Sequence, residues 1–307
     1  MAAARRSASS RHRLTARQGA GLWLANLAAI AFLVGPLVPV VLGSLHSEKS
    51  LQQDVRSLLM RPGDFTAANY RLILSGGAAR GPIFEQVSYL PKSVERFPTA
   101  FLNSAMVGVI VTAATLVVAG LSAYAIARLG LPWTQVLLKA SVAGRMIPLI
   151  VLMVPLYVMF RRYGLLNSLW GVIVAEIGFL IPYAVLILTP YFASLPSELE
   201  DAARIDGCTR FTAFLRVLLP LATPGLAACG VILFVISWHE LLIPLIVVNR
   251  PELMTLPVVL AGLVSDYFVF FTLMMAICLL GLLPTVVLVL LLRKYIVRGL
   301  VAGALKG

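Results

Sequence analysis

The chain has 307 residues, 60% apolar and 12% charged, against about 45–50% and about 25% in soluble globular proteins. With a mean hydropathy of +0.95, this excludes disordered, collagen-like and disulfide-scaffold classes and points to a polytopic membrane protein. The net charge of +12 gathers at the ends of apolar runs, without a compact basic patch interleaved with aromatics, so it describes membrane topology and argues against a nucleic-acid partner.

A basic N-terminal tail, residues 1–19, carries Arg5, Arg6, Arg11, Arg13 and Arg17. The apolar run after it, Ala20–Leu42, exceeds the roughly 7–15 residues of a signal-peptide core and no A-x-A site follows, so an uncleaved first span is expected. In the long loop Gly43–Pro98, the segment FTAANYRLIL, Phe65–Leu74, predicts a short helix on the outer surface. Five more runs are long enough to cross about 30 Å of hydrocarbon: Thr99–Ile126, Gln135–Phe160, Ser168–Phe192, Pro220–Val248 and Phe270–Leu292. The expected fold is all-α with six transmembrane helices. With the N-terminus inside, 14 Lys and Arg fall in inner segments and three (Arg161, Arg162, Arg250) in the two short outer loops, which puts both termini in the cytoplasm. The organisation is then a cytoplasmic tail 1–19, a transmembrane domain 20–298 and a cytoplasmic tail 299–307. Cys208, Cys229 and Cys278 have neither CxxC nor metal-ligand spacing and are read as packing residues.

The inner loop 193–219 is the most informative segment. Ser197 with Glu200 forms a capping-box pattern that starts a helix running through Ala202, Ala203 and Ile205. Gly207 stops it, and a second helix begins near Thr209, with Phe211, Phe214, Leu215 and Leu218 spaced as one apolar face. Pro220 and Pro224 mark entry into the fifth span. Such a hairpin could lie on lipid, but interfacial helices carry Lys and Arg on their polar face. Here Glu198, Glu200, Asp201 and Asp206 stand against three Arg, which favours a protein partner.

LEDAARIDGCTRFTAFLRVLLPL, Leu199–Leu221, closely resembles the EAA loop of permease subunits of bacterial ATP-binding-cassette importers, with matches at Asp201, Ala202, Ala203, Asp206, Gly207, Phe214 and Pro220. Asp201 stands where the pattern has Glu, and Cys208 where it has a small Ala or Ser. Asn103–Ser104, AYAIARLGLP at Ala123–Pro132, MIPLIVLMVPLY at Met146–Tyr157, YGLLNSLWGVI at Tyr163–Ile173 and the ending IVRGLVAGALKG resemble the carbohydrate-uptake branch, the ending that of maltose-type smaller permeases. The resemblance spans roughly residues 65–307.

It implies a type I importer permease, a non-enzymatic subunit in the bacterial inner membrane. A second permease, two ATPase subunits and an extracytoplasmic binding protein are the implied partners. ATP and Mg would sit on the ATPases, since this chain has no G-x-x-x-x-G-K-[ST] phosphate loop. Glu200, Asp201, Ala202, Ala203, Asp206, Gly207, Phe211 and Phe214 become the coupling candidates; Asp206 also fits a cap within its own loop. Gly303, Lys306 and Gly307 become candidate tail contacts, and Arg250–Asp266 a candidate contact for the binding protein.

Ionisable residues inside spans invite functional readings. At 1.5 Å per residue, Glu176 lies about 13 Å from the outer turn and Glu240 about 14 Å below Asn249. With Tyr183, Trp238 and His239 they form a candidate sugar path, since carboxylates accept hydroxyl hydrogen bonds and aromatic faces suit sugar rings; hydrogen bonding within the bundle accounts equally for Glu240 and His239. The same counting puts Arg145 about 27 Å down, snorkelling at the inner interface and out of reach of Glu176. Pro148, Pro155 and Pro182 are candidate bends. Competing readings are a non-sugar cargo, a secondary transporter, for which no inverted halves are visible, and an intramembrane enzyme, for which H-E-x-x-H and G-x-S-x-G are missing.

Overall fold

The computed structural model describes residues 16–53, 65–79, 92–264 and 269–304. Among these the structure is helical apart from one antiparallel bridge between Val264 and Val269. That suits a chain meeting lipid, where each backbone polar group needs a partner within the chain.

Helices α1 (Ala16–Val34) and α2 (Leu37–Ser44) are bent 45° at Gly35–Pro36. Three shorter pieces follow: α3 (Glu48–Gln53), α4 (Ala68–Leu74), where a short helix is expected from sequence, and a single turn at Lys92–Glu95. Next come α5 (Phe97–Arg128), the pair α6 (Thr134–Met146) and α7 (Leu149–Arg162), and α8 (Leu169–Ser194). The chain then forms α9 (Glu198–Ile205), α10 (Arg210–Ala213), a π-helical turn at Phe214–Leu218, and α11 (Leu219–Trp238). It closes with α12 (Leu242–Val247), α13 (Leu256–Ala261) and α14 (Phe271–Ala304).

Four stretches are long and apolar enough to cross a membrane unbroken, namely α5, α8, Arg210–Trp238 and Phe271–Tyr295. The pairs α1–α2 and α6–α7 qualify only as bent units, so the described residues hold four helices able to span, or up to six spans with the bent pairs. Besides the first, bent at Gly35–Pro36, two expected spans are not straight. The run Gln135–Phe160 turns through 99° between α6 and α7, where Pro148 is extended (φ −61°, ψ 133°) and offers no N–H to the preceding turn. Pro155 and Pro182, by contrast, stay inside continuous helices. The run Pro220–Val248 stops at Trp238 and restarts as α12.

The main core forms where α5, α8 and α11 pack together, with Val111, Ala119, Ala184, Val185, Leu188 and Leu233 buried among them. Small residues set the approach of these helices, as is usual where apolar burial gives no net drive between spans. Phe234 lies against Gly108, and Tyr191 against Gly225. A second cluster joins α4 to α14 through Leu72, Ile73, Leu273 and Ile277. Around it, Asn69 Nδ2 donates to Ser44 O and His46 O, both at 2.8 Å. The Glu48 carboxylate caps α14 by accepting from Thr272 N at 2.9 Å and Thr272 Oγ1 at 2.8 Å.

Helix α1 contrasts with this packing. Every residue from 21 to 39 is exposed, including Trp23, Phe32 and Leu33. A face this apolar needs lipid or another protein against it.

A Cβ at Gly225 would lie 2.6 Å from three atoms of the Tyr191 ring, whereas one at Gly178 on α8 meets nothing within 4 Å. Gly225→Ala is therefore expected to lower the thermal midpoint in detergent, by overpacking of about 1–3 kcal/mol. Gly178→Ala should leave it level or raise it through helix propensity. Equal midpoints would mean that the α8–α11 approach does not depend on glycine.

Candidate functional site

Two places gather the polar residues singled out from sequence: the hairpin between α8 and α11, and a cavity beside the α6–α7 bend.

The hairpin is built locally. Helix α9 ends at Asp206, Gly207 takes φ +88°, and Cys208 N returns to Ala203 O at 3.0 Å, closing the last turn. Thr209 then caps α10, its Oγ1 accepting from Thr212 N at 3.2 Å. The expected capping box does not form, because Ser197 is itself helical and makes no side-chain cap. Glu200 turns to a distant partner instead and accepts from Tyr124 Oη on α5 at 2.9 Å. Ala203, Phe214 and Leu218 are buried, while Asp201, Ala202, Ile205, Asp206, Gly207 and Phe211 face outward.

The single apolar face expected over Phe211–Leu218 is therefore split. Phe214 and Leu218 point in, whereas Phe211 and Leu215 are 62% and 43% exposed. Through Phe214–Leu218 the chain is a π turn, with more residues per turn than the α-helix, so the 3.6-residue phase of the stripe does not carry through it. Phe214 lies 4.6 Å from Tyr124 and 6.1 Å from Phe192, ring centre to ring centre. The outer surface of the hairpin thus presents Ile205 and Phe211 on either side of the Gly207 turn. Asp201 and Asp206 stand nearby without side-chain partners among the described residues.

The second place is a cavity of about 600 Å³ bounded by α6, α7, α8 and the end of α11. Arg145, Glu176, Ser237 and Glu240 are polar members of an otherwise largely apolar wall. Arg145 therefore does not follow the straight-helix count: the 99° turn after α6 brings it to the same cavity as Glu176, with its guanidinium 4.6 Å over the Tyr183 ring. Glu176 is 2% exposed; its Oε2 accepts from Ser237 Oγ, and its Oε1 has no partner among the described residues. Glu240 lies in the break after α11, where Oε1 accepts from Leu242 N at 2.8 Å and Ile243 N at 3.3 Å.

Trp238 is outside the cavity wall. It is buried against Phe101 and Phe234, and its Nε1 donates to Gly281 O at 2.9 Å. His239 is exposed and likewise absent from the wall. Gly303 lies on α14, while Lys306 and Gly307 fall outside the described residues. Ser237 and Tyr124 escaped sequence reading, since a serine in an apolar helix and a tyrosine near a helix end carry no signal without their partners. No group of three or more His, Cys, Asp or Glu positioned for a metal occurs among the described residues.

At the end of the bundle opposite the hairpin, two motif residues have a physical task. Asn103 Nδ2 donates to Glu252 O at 2.9 Å and Met254 O at 3.0 Å, and Ser104 Oγ accepts from Leu256 N at 2.8 Å. They fasten the segment leading into α13 to α5.

A bundle with broken spans, an interior cavity and a rigid hairpin on one end defines a membrane transport subunit. Residues 116–301 match the family described as binding-protein-dependent transport system inner membrane component, and the chain belongs to that family. It is 34% identical over 284 residues to the sulfoquinovosyl glycerol transport system permease protein SmoH of Agrobacterium fabrum, covering 92% of this chain and 93% of that one. Identity to the trehalose transport system permease protein SugB of Mycobacterium tuberculosis is 34% over 248 residues, 80% and 84% of the two chains. The arabinooligosaccharides transport system permease protein AraQ of Halalkalibacterium halodurans is 30% identical over 288 residues, 93% and 96%. In fold, the chain matches at TM-score 0.68 and 20% identity a solved bacterial ABC transporter involved in import of the acidic polysaccharide alginate, over 94% of this chain and 99% of that one. The protein is thus an ATP-binding-cassette importer permease, a transport subunit rather than an enzyme, that works with a binding protein and an ATPase.

The Glu176–Ser237 pair yields a signed prediction. Ser237→Ala strands a buried carboxylate and is expected to cost about 1–3 kcal/mol. Replacing both partners by apolar groups, Ser237→Ala with Glu176→Leu, should recover most of that loss. Thermal midpoints of the two variants in one detergent check the order; equal losses would mean that the hydroxyl does not support the carboxylate.

Proposed function

We propose that this chain is the permease of a carbohydrate importer, spanning the bacterial inner membrane six times with both termini cytoplasmic. It would form half of the path, with a second permease forming the other half and two ATPase subunits beneath holding ATP and Mg. The observation that carries the cargo class is the kinship to permeases named for sulfoquinovosyl glycerol, trehalose and arabinooligosaccharides. The bent pairs α1–α2 and α6–α7 each count as one span in this reading, and the Lys and Arg distribution supplies the orientation.

The hairpin is the coupling element in this reading. Exposed Ile205 and Phe211 enter a cleft on the ATPase, and Asp201 and Asp206, both exposed, meet basic groups there. Ala202 keeps the outer face low, while Ala203 lets α9 pack closely from behind. Gly303, Lys306 and Gly307 make a further contact in the same interface. The cargo passes along the wall bearing Glu176 and Glu240, with Tyr183 under the Arg145 guanidinium of that wall; Trp238 and His239 lie off it and take no part in this reading. Closure of the ATPases would move the hairpin as a rigid body and alternate access.

Two experiments test this. The tagged chain, extracted gently from native membranes, should bring down a Walker-motif ATPase and a second permease identifiable by mass spectrometry. The accompanying binding protein should be thermally stabilised by a member of a sugar panel, and stabilisation by peptides or polyamines alone would overturn the cargo class. In the assembled complex, Asp201→Arg with Asp206→Arg should leave the chain in the membrane and reduce ATPase recovery at least about tenfold, since it turns favourable charge pairs into repulsive ones. Undiminished recovery and stimulated hydrolysis would overturn the coupling assignment.

A further inference from the structure

Any hairpin displacement reaches α8 and α11 through the chain, because these two helices flank it. Helix α5 has no such link; it packs along α8 and α11, and a contact tying it to the hairpin gives the displacement a direct route into it. The side chain in place to do so is Tyr124, 76 residues away from Glu200 in sequence. Its hydroxyl donates to Glu200 Oε1 on α9 at 2.9 Å, and its ring lies 4.6 Å from that of Phe214, on the arm after Gly207. One residue thus grips both arms of the hairpin. Phe192, near the end of α8, completes the cluster at 6.4 Å from Tyr124 and 6.1 Å from Phe214. One turn further along α5, the Arg128 guanidinium donates to Leu195 O, just past the end of α8.

We propose that Tyr124 is a positioning residue that carries hairpin motion into α5, with Glu200 as its inward anchor rather than a docking group for the ATPase. The proposal rests on the coupling reading above. A ring packed between two others resists separation but tolerates sliding; the hydrogen bond to a carboxylate adds the directional restraint that fixes the angle of α9 to α5. The two contacts act on different arms, the bond on α9 and the ring on the segment after Gly207, so together they hold the hairpin to α5 as one body.

The test uses the complete complex in lipid nanodiscs, with ATP, Mg and vanadate as the only additions. Nitroxide labels at Leu102→Cys on α5 and Trp170→Cys on α8, both exposed and at the ends of those helices far from the hairpin, report their separation in a background where Cys208, Cys229 and Cys278 are Ser. Vanadate-trapped nucleotide is counted in the same samples. Tyr124→Phe keeps the ring and is expected to trap as much nucleotide as the parent, while the ratio of rearranged to resting separations falls about tenfold, the loss of one hydrogen bond to a charged group. Glu200→Gln retains an acceptor and should keep the rearrangement. Glu200→Ala should match Tyr124→Phe, and the double variant should be no worse than either, because both remove the same bond.

Full rearrangement in Tyr124→Phe, or additive losses in the double variant, would overturn the proposal. So would equal losses of trapped nucleotide and rearrangement, which mark a purely structural role. Gly207→Pro separates the underlying reading: φ +88° is closed to proline, and if that variant still couples trapping to the full rearrangement, the coupling assignment itself fails.

Discussion

A chain inside a bilayer must satisfy its own backbone, and everything distinctive about this fold lies where it interrupts that rule. The spans that form the core, α5 and α8, are continuous helices of 32 and 26 residues. The interruptions beside the cavity, between α6 and α7 and between α11 and α12, each have a local remedy. At the first, Pro148 brings no donor that would need a partner. At the second, the Glu240 carboxylate takes the N–H groups of Leu242 and Ile243. A carboxylate that sequence alone offers for cargo is thus first a backbone cap, and its orientation is set by that duty.

The cavity and the hairpin sit at different depths of one core. Phe192 and Phe214 belong to the same buried cluster as Leu180 and Ile243, so the packing that supports the hairpin continues toward the cavity wall. Close-packed interiors transmit displacement because they have no slack to absorb it. Around this core, the clasp of Asn103 and Ser104 and the cap of Glu48 on α14 hold the opposite end. Helix α1 stands apart from it, exposed at every position from residue 21 onward. Its aromatic and aliphatic side chains mark where this subunit depends on its surroundings.

What was legible in the sequence was local. The hairpin's stop at Gly207 and restart at Thr209 follow from residues whose backbone preferences act within a turn. Membership of the importer family followed from the same segment. What was hidden was long-range. Glu200 fits a capping box with Ser197, but Tyr124, far away in sequence, offers it a better-placed donor. The stripe Phe211–Leu218 obeys helical spacing, but the π turn shifts its phase, since Phe214 sits in the aromatic cluster with Tyr124 and Phe192. Counting 1.5 Å per residue holds only along a straight axis, and the axis turns two residues after Arg145, which joins the cavity wall over Tyr183 without pairing to Glu176. Trp238 looked like a sugar platform, yet its ring is enclosed by Phe101 and Phe234.

The turn at Gly207 separates two reasons for which a position can demand glycine. A Cβ built there meets nothing within 4 Å, so there is room for a side chain. The demand comes only from φ, which at +88° is costly for an L residue. Handedness, not volume, is what the site selects: the positive φ strains any L side chain, however much room it has. Gly171 is the opposite case, with no positive φ to favour glycine and a Cβ that would collide with Leu165 O, so that crowding alone keeps a side chain out.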